Sequence, residues 1–262
     1  ATFGGVRVNF ENEAEADVVI SVLASDSLGN LMPAENYYTK SKEGTFAARG
    51  FSAEPTVFAV FVRDRWDNLS DTTLKELVPL YEEKLDKTKF KEVHLATDTY
   101  EQHCCGSGIS DLWDDIINHR ENNFLTKPGS GMPQWFTFDL GDKYRLSRFK
   151  LHQTSRNAPY TLAAPKVFQI YGSNNPSPDG SWDSWTLLGE FESIIPSGED
   201  SPTTEDIEYA LIEGEDYEFP TPEDAPVVQY LRFRTETTWG GLDRVYMSEL
   251  TFWGSKEWIA IY

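Results

Sequence analysis

Apolar side chains return at every second position over much of this chain. In residues 134–141, Phe136, Phe138 and Leu140 alternate with Thr137 and Asp139; residues 146–153 place Phe149 and Leu151, and residues 167–173 place Phe168 and Ile170, in the same rhythm. A period of two describes strands with one dry and one wet face. Shorter runs of this kind fill the N-terminal third. Val6 and Val8 open a strand, residues 17–23 form a β-branched run, residues 37–42 and 45–49 read as a pair, and residues 74–78 close the set. The longest run, residues 55–66, sets Val57, Ala59 and Phe61 against Phe58, Val60 and Val62. About six or seven short strands over roughly 85 residues predict an immunoglobulin-like or fibronectin type III sandwich.

Residues 81–91 break the pattern with Glu82, Glu83, Lys84, Asp86, Lys87 and Lys89. They mark a junction, which divides the chain into a first domain at 1–86 and a second at 90–262. Leu112, Trp113, Ile116 and Ile117 have helical spacing, but the segment is short and predicts a loop or a single turn. Long connections are expected at 154–164, 174–183 and 193–205, and final strands at 227–235 and 246–253. Trp185 alternates into a strand and is expected in the core, Trp113 and Trp135 in packing roles, and Trp182 is open. The predicted fold class is all-β.

Composition adds bounds. With 39% hydrophobic and 14% aromatic residues in 262, cores can form without staples. A formal net charge of −20 repels phosphate backbones and anionic leaflets, so nucleic acid and direct membrane docking are not expected. The acid-rich stretch 199–224 reads as a solvated loop. Cys104 and Cys105 are neighbours, a spacing that suits neither a disulfide nor a zinc site. No apolar run reaches the roughly 18 residues of a membrane span, so any signal or anchor is expected to lie outside this sequence.

In sum, the strand patterns resemble the coagulation factor 5/8 type C domain, a discoidin-like, galactose-binding-type jelly roll. The resemblance rests on Leu112-Trp113-Asp114-Asp115, where that family has an apolar-aromatic-Asp-Gly turn, and on residues 135–141, 168–173, 230–233 and 247–254, in family order. With residues 4–10 and 62–68, the whole chain is similar to surface or periplasmic lipoproteins of Bacteroidetes that pair a fibronectin-like module with a discoidin-like one. That resemblance implies an immunoglobulin-like sandwich followed by a discoidin-like jelly-roll β-sandwich. It also implies non-catalytic carbohydrate binding for a glycan-uptake system, at the cell surface with a lipid anchor on the outer membrane, or in the periplasm. The expected partners are a polysaccharide or oligosaccharide and other surface glycan-uptake proteins.

The resemblance further implies a structural calcium ion under the first turn, with Asp114, Thr126 and Glu249 as ligands. Calcium takes six to eight oxygens. The alternative is that Asp114 caps a turn and Glu249 is salt-bridged, with no metal. For sugar, an aromatic ring meets the C–H face and polar side chains meet the hydroxyls. Residues 152–160 offer His152, Arg156, Asn157 and Tyr160, and residues 238–244 offer Trp239 and Asp243 beside two glycines. Against this, Trp239 could cap the core's end and Arg156 could pair with an acid. A scaffold role, or an accessory part of a glycosidase, is the rival function. Catalysis is not expected: His94, His103, His119 and His152 show no metal-protease spacing or nucleophile setting, and carboxylate pairs are uninformative among 43 acids.

Overall fold

A computed structural model describes residues 1–103, 107–220 and 225–256; Cys104 and Cys105 lie outside the described residues. Contacts divide the chain into two compact units. The first comprises Ala1–Glu82 together with Ile195–Glu205, and the second comprises Glu83–Ile194 and residues 206–256. The division falls between Glu82 and Glu83, inside the charged stretch 81–91 and a few residues before the domain bounds of 86 and 90. The physical reason is that Glu83–Lys84 already pairs with the last strand of the second unit.

Among the described residues, six strands build the first unit: β1 (Gly5–Glu11), β2 (Val18–Ser25), β3 (Leu31–Thr39), β4 (Glu43–Arg49), β5 (Thr56–Asp64) and β6 (Thr73–Leu77). β1 pairs with β4, and the other four form a sheet in the order β3-β2-β5-β6. Val6, Val22, Ala24, Ala48 and Phe58 fill the space between the sheets. Val22 and Ala24 are alternate positions of β2 and share one face of it; Phe58 and Ala59, from the two opposed sets of residues 55–66, are both buried. The segment Ile195–Glu205 belongs here through Tyr37, whose hydroxyl donates to Pro196 O at 3.3 Å, and Lys40, whose ammonium lies 3.1 Å from Glu199.

Among the described residues, ten strands build the second unit: β7 (Glu83–Lys84), β8 (Lys91–Val93), β9 (Phe124–Leu125), β10 (Gln134–His152), β11 (Pro165–Ser173), β12 (Thr186–Glu192), β13 (Glu215–Glu218), β14 (Val228–Thr238), β15 (Tyr246–Met247) and β16 (Glu249–Ser255). They connect in the order β12-β11-β14-β10-β16-β7, with β8 and β13 also on β10 and a separate β9–β15 pair. β10 serves both layers: residues 134–139 pair with β14, and residues 145–152 pair with β16. Gly141 makes that passage possible. It has φ +78°, and a Cβ there would lie 2.6 Å from Lys89 Cβ and 2.7 Å from its carbonyl oxygen, so only glycine fits.

Phe136, Phe138, Phe149, Phe168, Phe233 and Phe252 are the centre of the core. Phe136 and Phe168 stack on Phe233 at 5.5 and 5.0 Å. Each such side chain contributes about 1.5–3 kcal/mol by leaving water. The opposite face of β14 carries Arg232, fully buried with its guanidinium 4.5 Å from both Trp182 and Trp185 and 3.2 Å from Asp98. Trp185 is therefore core, and Trp182 shields a buried charge. Ile109–Leu112 forms one 3-10 turn. The acid-rich stretch is not wholly solvated: Asp206 and Glu215 are buried. Among the described residues, no helix is long and apolar enough to cross a membrane.

Candidate functional site

β10 leaves β14 after Tyr144 and joins β16 from Arg145, and its ends both meet the segment 243–248: Gln134 Nε2 donates to Asp243 O and Ser248 N donates to His152 O. The loops that leave there lock together. Trp239 N donates to Ala164 O (2.9 Å), Gly240 N to Leu162 O (2.7 Å) and Tyr246 N to Ala163 O (3.0 Å). Gly240 allows the approach, since a Cβ there would lie 2.6 Å from Leu162 Cα.

Trp239 is half-buried at this junction. Its indole N–H donates to Ser193 Oγ at 3.1 Å, the Tyr160 ring meets it edge-on at 5.4 Å, and Lys166 Nζ lies 4.9 Å from its centre. A second layer fixes that arrangement. Ser193 Oγ donates to Glu215 Oε1 (2.6 Å), Gln153 Nε2 donates to the same oxygen (3.0 Å), and Tyr217 OH donates to Oε2 (3.1 Å). Tyr160 N in turn donates to Gln153 Oε1 at 2.7 Å. Burial without a cation pushes the Glu215 carboxyl up to about 7, and burial beside Glu215 raises Tyr217 well above its ordinary value.

The other expected ligand residues divide by exposure. Arg156 is exposed, its guanidinium 3.9 Å from Glu121. Asn157 is half-buried beside it, and Asp243 is exposed while its carbonyl accepts from Gln134 Nε2 at 2.6 Å. Two positions need correction. Tyr160 is only 5% exposed and braces Trp239 instead of offering a ring to solvent. His152 is 7% exposed, donates from Nε2 to Ile212 O at 3.2 Å, and backs onto Gly214. Burial lowers it to about 4, so it is a neutral packing residue. Thus the structure joins Trp239 to Tyr160 and Lys166, and Arg156 to Glu121, on loops of one end. Ser193, Glu215 and Lys166 carry no motif that would have singled them out; only the connection expected at 193–205 placed Ser193 at the start of a loop.

Most of the side-chain oxygens expected to bind calcium are otherwise engaged, Glu249 Oε2 excepted. Asp114 Oδ1 accepts from Ile116 N (2.9 Å) and Oδ2 from Asn122 Nδ2 (2.8 Å). Thr126 Oγ1 accepts from Val245 N (2.7 Å). Glu249 Oε1 accepts from the ammonium of Lys87. Among the described residues no group of three or more His, Cys, Asp or Glu is placed to hold a metal. This donor set does not fit calcium.

DUF5000, a domain of unknown function, matches residues 113–254, and DUF5126, another domain of unknown function, matches residues 1–88. No curated protein matches the chain. Among solved structures, a SusE-like protein is 38% identical with TM-score 0.62, covering 97% of this chain and 94% of its own. The family 32 carbohydrate-binding module of C. perfringens NanJ, solved in complex with galactose, is 17% identical with TM-score 0.43, covering 66% of this chain and 98% of its own. The F5/8 type C domain of a Bacteroides fragilis protein is 10% identical with TM-score 0.44, covering 67% and 98%. By its end-to-end likeness at 38% identity and its match over residues 113–254, the chain belongs to the SusE-like family, with DUF5000 as its second domain.

Proposed function

We propose that this protein binds carbohydrate without catalysis, at the Trp239 end of its second unit, for a glycan-uptake system at the surface of a Bacteroidetes cell. The observation that carries this is the braced indole. Trp239 is held by Tyr160 from the side and by Ser193 at its N–H, while Arg156, Asn157 and Asp243 stand on the adjoining loops. An aromatic ring fixed in advance loses little freedom when a pyranose stacks on it. Membership of the SusE-like family supports the uptake setting, and the first unit is read as a fibronectin-like spacer that carries the binding unit outward from a lipid anchor. One ring and a few polar groups give a weak site, with Kd in the high micromolar to millimolar range, about −4 to −6 kcal/mol. Many displayed copies then supply avidity.

Affinity electrophoresis through polysaccharide gels tests it. Retardation by at least one glycan is expected, and Trp239→Ala should weaken it about tenfold or more, equivalent to about 1.4 kcal/mol. Equal retardation of the variant would sink the reading. A scaffold role has one observation in its favour: the first unit leaves Trp66 67%, Leu69 64% and Leu74 61% exposed. Co-purification of a surface protein, lost in Trp66→Ser/Leu74→Ser and kept in Trp239→Ala, would select that reading instead.

A further inference from the structure

We propose that the ammonium of Lys87 is a built-in cation that takes the place of a metal ion at Glu249, so that the second unit is clasped there without calcium. Lys87 begins the 3-10 turn Lys87–Lys89, which Asp86 caps by accepting from Thr88 N at 3.1 Å. Its side chain is 4% exposed, a burial that lysine tolerates only when paired. The ammonium donates to Glu249 of β16 and to Asp115 Oδ1 at 2.8 Å, and Lys84 Nζ reaches that same oxygen at 3.2 Å.

Three features make this a clasp and not an incidental ion pair. The first is reach: Lys87 is 28 residues from Asp115 and 162 from Glu249 in sequence, so one side chain ties the start of the unit to a turn and to its last strand. The second is backbone. Asp115 has φ +63°, a left-handed conformation that a short acidic side chain tolerates better than most, and it sits where the resembling family has glycine. A glycine there would offer no carboxylate, so the aspartate and the buried lysine complement each other. The third is charge. An ammonium already on Glu249 repels a dication, and Lys84 adds a second positive charge at Asp115. The clasp is independent of whether Trp239 meets a sugar.

The test is thermal unfolding of the full chain. For the wild type, EDTA and millimolar CaCl2 should each leave Tm within about 1 °C of the metal-free value. Lys87→Met keeps the length and removes the charge, which strands Glu249; Tm should fall by about 10 °C. Lys87→Met/Glu249→Gln should recover most of that loss, because the stranded charge is gone. A wild-type Tm that drops in EDTA and returns with CaCl2 would overturn the proposal, and so would a Lys87→Met protein as stable as the wild type. If Lys87→Met does not fold, the chelator response and the double variant still decide.

Discussion

Glu215 shows how a single residue can tie the candidate site to pH. Its carboxyl is fully enclosed, accepts from Ser193, Gln153 and Tyr217, and is raised from 4.5 to about 7 by burial. Between those two values the folded chain holds a proton that the unfolded chain has lost. Stability therefore falls as pH rises through that window, by up to about 3 kcal/mol. Glu249, raised to about 7 by burial against the pull of Lys87, has the same sign. His152 has the opposite sign, since burial lowers it to about 4 and stability rises as pH climbs from there to 6.5. Glu215→Gln isolates the first effect. Denaturant titrations from pH 5 to 7.5 should show the variant gaining on the wild type steadily with pH, and parallel curves would refute the assignment. None of this was visible in the sequence, where Glu215 is one acid among many in 199–224.

At the scale of elements, the loops carry the geometry and the strands carry the frame. The alternation of Phe136, Phe138 and Leu140, or of Phe168 and Ile170, was legible because a strand's two faces are fixed by backbone geometry alone. The mutual locking of residues 153–164 and 239–246 was not, because loop backbone bonds depend on which loops the topology brings to one end. Gly240 tests that locking. In Gly240→Ala the new methyl meets Leu162 backbone atoms at 2.6–2.9 Å, and backbone on both sides leaves little room to yield. A loss of about 1–3 kcal/mol is expected, with a changed near-ultraviolet dichroism signal from Trp239 and weaker glycan retention. Wild-type stability in Gly240→Ala would show that the two loops are not rigidly apposed.

For the whole molecule, the −20 charge is a field and not a site. It disfavours polyanions as partners and strains the compact state by self-repulsion. Adding NaCl to about 0.15 M shortens the screening length to about 8 Å, so Tm should rise over that range. A Tm that falls would mean that specific ion pairs, such as Lys87 with Glu249, outweigh the general repulsion. The charged break at residues 81–91, within which the contact division at Glu82 and Glu83 falls, was visible in the sequence. The return of Ile195–Glu205 to the first unit was not, since Tyr37 and Pro196 are 159 residues apart and nothing in either segment's own pattern names the other.

The sequence by itself determined most of the strands and the all-β class, because a period of two and turn residues act locally and repeat many times. It did not determine pairing, for residues 37–42 and 45–49, read as a pair, fall in β3 and β4, which pair with β2 and β1 in different sheets. Tertiary structure alone decided which polar side chains face solvent. It set Tyr160 and His152 inside, put Ser193 and Glu215 behind Trp239, and laid the Lys87 ammonium on Glu249. Such pairings join distant segments through a few bonds each, and a linear pattern carries no record of which distant residue will cover, or neutralise, a given one.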